Sequence, residues 1–311
     1  MPRTAQISVG QEGIIMSSLN RRTFLGASAA AVAGVVAANG QQDSAAKGDN
    51  RGLLRTPHTK FAANLEMWWT KLPFLQRIEE AAKLGFPAVE FWGWRDRDFA
   101  MDDVLAATRR LGLKIAQISG ANGLNDPKQL DKILADIDAS CQTARKLETN
   151  LVCVVAGQDI PGMTQDEMHG HVITALRRAA PIAEKHGCTL MLEPFNIRVD
   201  HPGHCLYGSP AALRIVRAVN SPNVKILWDL YHLHITEGDL CGRLREGFEW
   251  VAYLQIADHP GRTEPGTGEI HYNRVLKEAY DLGYRGYVGV ECRPKTDELT
   301  AARAVAAADA W

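Results

Sequence analysis

From residue 60 onward, eight short apolar runs recur along this chain, and each but the last is followed by a longer stretch with apolar residues at helical spacing. That alternation limits the fold more than any other feature. The runs lie at 61–65, 88–92, 114–119, 151–156, 189–192, 224–228, 253–256 and 287–290, lengths suited to buried strands. Between them, Phe74, Ile78, Ala81, Ala82 and Gly85 mark one helix face, and Leu130, Ile133, Leu134 and Ile137 mark another. Leu84-Gly85, Leu111-Gly112, His186-Gly187 and Leu282-Gly283 each stand just before the next strand, where a glycine closes a helix by turning left-handed. Eight strand–helix units without a second compositional zone predict one closed (β/α)₈ barrel, residues 59–311. A doubly wound open sheet would need a glycine-rich phosphate loop after its first strand. Glu66-Met67-Trp68-Trp69 stands there instead.

The 311 residues are 46% hydrophobic and 23% charged, with a formal net charge of −1 and no basic block. Those values suit one large core and leave no electrostatic footprint for nucleic acid. The N-terminus reads separately. Asn20-Arg21-Arg22-Thr23-Phe24-Leu25-Gly26 resembles a twin-arginine export signal, with Met16 as an alternative start. The apolar run behind it, 24–38, has 15 residues, short for a membrane span of about 20. Its small residues suit cleavage, with an uncleaved anchor as the alternative. Residues 1–40 are therefore read as an export signal and 41–58, polar and poor in apolar residues, as a disordered linker. Export, with the periplasm as the expected destination, places six cysteines in an oxidising compartment. None forms a CxxC pair, and they read as mostly free thiols of a core that needs no staples.

Active sites of parallel barrels form at the C-terminal ends of the strands. Four consecutive predicted strands end in oxygen-bearing side chains: "TLMLEPFN" in Glu193, "VKILWDLYH" in Asp229, "VAYLQIAD" in Gln255 and "YVGVECRP" in Glu291. Singly, each reads as a helix cap or loop residue. Together they supply what a hard divalent cation requires, oxygen ligands from several strands with positions left for substrate. Three carboxylates so placed would repel one another without a cation between them.

These residues carry a resemblance. "LEP", "DLYH", "LQIAD" and "GVECRP", with "FAANLEMWW", "GFPAVEFW" and "QIADHPGRTEPGTGEIHY", are similar to the hydroxypyruvate isomerase family of the xylose isomerase-like TIM barrels. The likeness spans essentially the whole chain after residue 59. It implies an enzyme that interconverts an α-hydroxy ketone and an α-hydroxy aldehyde, acting on a small molecule as a dimer or tetramer. It also implies metal ligands at Glu193, Asp229, Gln255 and Glu291. Many related epimerases have histidine where this chain has Gln255, and an all-oxygen shell favours Mg²⁺ or Mn²⁺. The export signal departs from the family.

Moving a carbonyl between adjacent carbons requires a carboxylate to take a proton from carbon and a group to return it, through an enediolate that a metal would stabilise. Glu193 and Glu291 are the candidates for catalysis. His232 is read as a contact to a substrate oxygen, or as a loop histidine; Arg262, after the seventh strand, as a partner for a substrate carboxylate, or as a surface arginine. Glu90 ends the second strand and is read as a contact to a substrate hydroxyl. Among Trp68, Trp69, Trp92 and Trp94, Trp92 or Trp94 is expected to wall the pocket. Gly266, Gly268 and Glu269 suggest a turn in the seventh loop, while His201 and His204 receive no role. Two rival functions fit the same residues: a ketose 3-epimerase and a non-catalytic sugar-binding barrel.

Overall fold

The computed structural model describes residues 52–311. The segment read as an export signal and most of the stretch read as a linker lie outside the described residues. Eight parallel strands close into a barrel in sequence order. They are β1 (Lys60–Asn64), β2 (Ala88–Phe91), β3 (Lys114–Asn122), β4 (Leu151–Val155), β5 (Thr189–Glu193), β6 (Val224–Asp229), β7 (Val251–Ile256) and β8 (Tyr287–Val290). The helices between them are α1 (Phe74–Lys83), α2 (Met101–Leu111), α3 (Leu130–Lys146), α4 (Gln165–His186) and α5 (Ser209–Val219). The set continues with α6 (Leu230–Thr236), α7 (Leu240–Gly247), α8 (Tyr272–Asp281) and α9 (Glu298–Ala307). No helix among the described residues is long and apolar enough to cross a membrane.

Local chemistry sets the helix ends. Thr164 and Glu167 form a reciprocal capping box at the start of α4, satisfying two backbone donors that the first turn leaves unpaired. Gly112 and Gly187 end α2 and α4 in the left-handed region, at φ +70° and +63°. The side-chain period of two splits each strand between two cores. Phe61, Val89, Val152, Leu192, Trp228, Leu254 and Val288 face outward under the helices. Ala62, Ala88, Ala116, Cys153, Met191, Leu227 and Tyr253 fill the barrel interior, small residues on β1–β3 standing with larger ones on β5–β7.

Two features depart from the sequence reading. Residues 52–58 are not a free linker: Leu54 is fully buried, its N–H donates to the Leu84 carbonyl, and the His58 N–H donates to Asp309. One buried leucine ties this polar stretch to the barrel. Strand β3 also runs three residues beyond its expected end. It steps out of register against β2 between Val89 and Phe91, and against β4 between Ser119 and Asn122. Each shift puts one extra residue on β3, which re-aims side chains, and Gln117 thereby joins Ala116 on the inner side.

All six cysteines are free, and five of them are buried. A surface groove of about 660 Å³, lined by Arg55, Glu79, Lys83 and Arg110, opens among helix C-termini at the barrel's far end from the strand tips. Gly289 on β8 matters for the site: a Cβ there would lie 2.5 Å from Glu90 Oε2. Gly289→Ala should lower stability by about 1–3 kcal/mol, the usual cost of overpacking, read as a lower urea midpoint at unchanged m-value. An unchanged midpoint would mean that Glu90 moves aside without cost.

Candidate active site

Above the apolar interior, the next inward position on most strands is polar. Asn64, Glu90, Gln117, Glu193, Asp229, Gln255 and Glu291 are all buried. Register puts them together: Asn64 pairs with Glu90 and Asp229 with Gln255, while Glu291 follows Val290. Ligand atoms of Glu193, Asp229, His232 and Glu291 lie within 4.8 Å of one another. Of these, Glu193 and Glu291 border a cavity of about 220 Å³ that is also lined by Trp92, Gln117, Ser119, Cys153, Phe195, His201, Gln255 and Arg262; Asp229 and His232 sit behind them. That volume lies below the roughly 300–1,000 Å³ of pockets for drug-sized ligands. A molecule of a few carbons suits it.

In the segment "LWDLYHLH", residues 227–234, one aspartate has two roles. Asp229 caps α6, its Oδ1 accepting from the N–H groups of Tyr231 (2.8 Å) and His232 (3.4 Å). Its Oδ2 lies 3.5 Å from His232 Nε2, within the cluster. The capping bonds fix the carboxylate plane and leave the second oxygen to the site. Glu291 is held by three donors: Trp92 Nε1 (2.6 Å) and Asn64 Nδ2 (3.4 Å) reach Oε1, and Arg262 Nη2 (2.6 Å) reaches Oε2. Glu193 receives one, from the Cys153 thiol at 3.3 Å.

Burial, with the charges of Glu291 and Asp229, raises the Glu193 carboxyl well above its ordinary range. Burial raises Asp229 to about 6 against the pull of Arg262, a displacement worth roughly 3 kcal/mol. Burial raises Glu291 too, again opposed by Arg262. These carboxyls resist ionising together, and a divalent cation among them would remove the resistance. Gln255 supplies a further sign of fit. Its Nε2 donates to Glu90 Oε1 at 3.0 Å, and its buried Oε1 has no hydrogen-bond partner among the described residues. Gln117 Oε1 likewise lacks one. A hard, oxygen-seeking cation suits this donor set.

Arg262 sits in the β7–α8 loop at φ +54°. Asp258 organises that loop by accepting from the N–H groups of His259, Gly266, Gly268 and Ile270. Gly268 is required there, since a Cβ would strike the His259 carbonyl. Burial works against the Arg262 charge, but Glu291, Asp229 and Asp200 hold it above its ordinary value. Its Nη1 lies 3.5 Å from Asp200, its guanidinium stacks on Tyr231 at 5.2 Å, and its buried Nε lacks a partner among the described residues.

Of the residues singled out in the sequence, Glu193, Asp229, Gln255, Glu291, His232 and Arg262 come together. Glu90 takes a supporting place beneath them. It does not line the cavity; it is fully buried and accepts from Asn64 (2.9 Å), Gln255 (3.0 Å) and Gln117 (3.3 Å). Burial and the charge of Glu291 raise it to about 7. Ending a strand put it on the inner face, where amides from three strands occupy both its oxygens. Trp92 lines the cavity and is 40% exposed at the rim. Trp94 donates to Ser140, and Trp68 and Trp69 are buried in the outer core. Glu269 pairs with His234 at the surface, outside the cavity. His201, without a role in the sequence, lines the cavity and stacks on Phe195 at 4.0 Å. His204 is spent on backbone bonds to Gly157 and Leu206. Gln117, Cys153, Asn196 and Asp200 were missed. A glutamine inside the apolar run 114–119 was the available signal for the first.

Comparison with known proteins agrees with this geometry. The family model of the xylose isomerase-like TIM barrel matches residues 78–310. The hydroxypyruvate isomerase of Escherichia coli (strain K12) is 32% identical over 244 residues, covering 76% of this chain and 94% of the relative. A 2-oxo-tetronate isomerase of Pectobacterium atrosepticum is 30% identical over 245 residues, covering 76% and 92%. Among solved structures, a family 2 AP endonuclease from Brucella melitensis superimposes with TM-score 0.72 at 28% identity, covering 78% of this chain and 96% of that one. D-psicose 3-epimerase from Clostridium cellulolyticum H10 gives 0.67 at 20% identity over 80% and 96%, a likeness of fold alone. The chain belongs to the xylose isomerase-like TIM barrel family. Its likeness to the two isomerases spans nearly their whole length, and like them it is an isomerase acting on a small molecule.

The raised carboxyls set a pH signature. Asp229 moves from 3.8 to about 6, so between those values the folded chain without metal binds more protons than the unfolded chain. This contribution to stability is therefore lost as pH rises through that window. A cation competes with the same protons, so its stabilising effect grows over the window. The rise in Tm on adding millimolar Mn²⁺ should be small near about pH 5 and larger near about pH 7, with Asp229→Asn flattening the difference. Equal increments at both values would place the cation elsewhere.

Proposed function

We propose that this chain is a divalent-metal-dependent isomerase interconverting hydroxypyruvate and tartronate semialdehyde. The observation that carries the reading is one small cavity bordered by the buried carboxylates of Glu193 and Glu291, with that of Asp229 beside them, an unpartnered amide oxygen on Gln255 and a buried arginine with an unpaired Nε–H. The names of the two isomerase relatives support a small hydroxy-keto acid as substrate. In this reading Glu193, Asp229, Gln255 and Glu291 hold Mg²⁺ or Mn²⁺. When bound, the cation polarises the substrate's carbonyl and hydroxyl oxygens and stabilises the enediolate charge.

The chain's own groups do the rest. Arg262 presents its Nε–H to the substrate carboxylate. Glu193, with a thiol as its one hydrogen-bond donor, takes the proton from the hydroxymethyl carbon. Glu291 faces it from the eighth strand and returns a proton to the neighbouring carbon, held in aim by Trp92 and Arg262. The cavity's size leaves little room for water beside the enediolate.

The test is proton NMR in deuterated water with hydroxypyruvate beside a panel of ketoses. Tartronate semialdehyde with deuterium at the receiving carbon is expected. Glu193→Gln and Glu291→Gln should each lower the rate at least about 10²-fold, and Arg262→Ala should harm hydroxypyruvate more than a neutral sugar. Epimerised ketose without tartronate semialdehyde would overturn the isomerase in favour of a 3-epimerase. Binding without turnover of either class would leave a sugar-binding barrel.

We also propose that the chain is exported by the twin-arginine route, on the strength of Arg21-Arg22 and the apolar run behind them. Replacing both arginines with lysine should hold the protein in the cytoplasm on fractionation. An undiminished periplasmic yield would refute it.

A further inference from the structure

His232 is fully buried beside the carboxylates of Asp229 and Glu193, and its Nε2 has no hydrogen-bond partner among the described residues. Nε2 lies 3.5 Å from Asp229 Oδ2 and 3.9 Å from Glu193 Oε1. Such a nitrogen could be a fifth ligand to a cation or a donor to substrate. Which it is depends on where the ring carries its proton. Its other nitrogen, Nδ1, lies 2.7 Å from Asn196 Nδ2. Asn196 is itself fully buried, and three other bonds fix which way its amide points. Its Oδ1 accepts from the backbone N–H groups of Val199 (3.0 Å) and Asp200 (3.1 Å), and its Nδ2 donates to Asp200 Oδ2 at 2.8 Å. Flipping the amide would set oxygen against the Asp200 carboxylate and NH₂ against two N–H donors. The NH₂ therefore faces His232, and Nδ1 has to accept.

We propose that Asn196 is a positioning residue that holds His232 in the tautomer with its proton on Nε2, so that His232 offers the cavity a hydrogen-bond donor and not a metal-ligating lone pair. This deepens the isomerase reading and rests on it for the identity of the acceptor, a substrate oxygen beside the carboxylates. Asp200 extends the device. The carboxylate that orients Asn196 also accepts from Tyr231 (2.9 Å) and lies 3.5 Å from Arg262 Nη1. One aspartate on the β5–α5 loop thus aligns the two residues read as substrate contacts, His232 and Arg262. The Asn196 backbone follows Glu193 by three residues, so the strand that supplies the base also supplies the group that sets the donor.

Two-bond ¹H–¹⁵N correlation spectra of the full chain, labelled with ¹⁵N-histidine and assigned through His232→Gln, read the tautomer directly. His232 is expected with Nε2 protonated and Nδ1 bare, both without metal and with saturating Mg²⁺. A proton on Nδ1, or loss of the Nε2 proton when Mg²⁺ binds, would overturn the proposal. Asn196→Asp puts an acceptor against Nδ1 and should move the proton there. Asn196→Ser removes the amide and should leave a mixture of tautomers, a check that stands if the aspartate variant does not fold. A single Nε2–H tautomer persisting in Asn196→Ser would equally overturn it. In that variant kcat/KM should fall about 10–100-fold, as for other residues that orient a site from behind, while Mg²⁺ affinity is retained. Should hydroxypyruvate fail as substrate, the spectra still decide the tautomer, so the two readings fall separately.

Discussion

Three carboxylates with oxygen atoms within 4.8 Å of one another, on side chains almost wholly buried, are the constraint to which the barrel mouth answers. Like charges so close cannot all ionise in a dry setting without compensation. Arg262 offsets part of the charge through Glu291, and the raised carboxyls of Glu193, Asp229 and Glu291 mark what remains. A divalent cation would meet that remainder with two charges. An arrangement that is costly alone and favourable when loaded is how a site binds metal tightly yet leaves positions open to substrate.

Beneath this cluster lies a layer whose function is support. Glu90 accepts from the amides of Asn64, Gln117 and Gln255, and so turns the Gln255 oxygen toward its unpartnered position. Room for that carboxylate exists because residue 289 is glycine. Small alanines on β1–β3 beside Met191, Leu227 and Tyr253 fill the barrel's lower interior without pushing into this layer. The loops then aim charge downward. Asp258 gathers four backbone N–H groups to shape the loop that carries Arg262, and Asp200 meets Arg262 from the β5–α5 loop. Rigid strands bear the carboxylates and a braced loop bears Arg262, a division that keeps the geometry tight where chemistry needs it.

The sequence by itself determined the barrel. A strand buried on both sides must be short and apolar, so its eight runs are legible without tertiary information, and four of the strands are announced by a glycine that closes the helix before them. It also determined the polar mouth on β5 to β8, because a charged residue closing an apolar run stands out locally: Glu193, Asp229, Gln255 and Glu291 needed no neighbour to be noticed. Only the tertiary structure decided which way each side chain is used. Glu90 has the same local signature as Glu193, yet three amides from β1, β3 and β7 turn it into a brace. Gln117 faces inward because β3 carries an extra residue against β2. The proton of His232 is set by an amide thirty-six residues away in sequence. Hydrophobic periodicity is a property of the chain, readable one residue after the next; hydrogen-bond pairing, register and mutual repulsion are properties of pairs that meet only when the barrel closes.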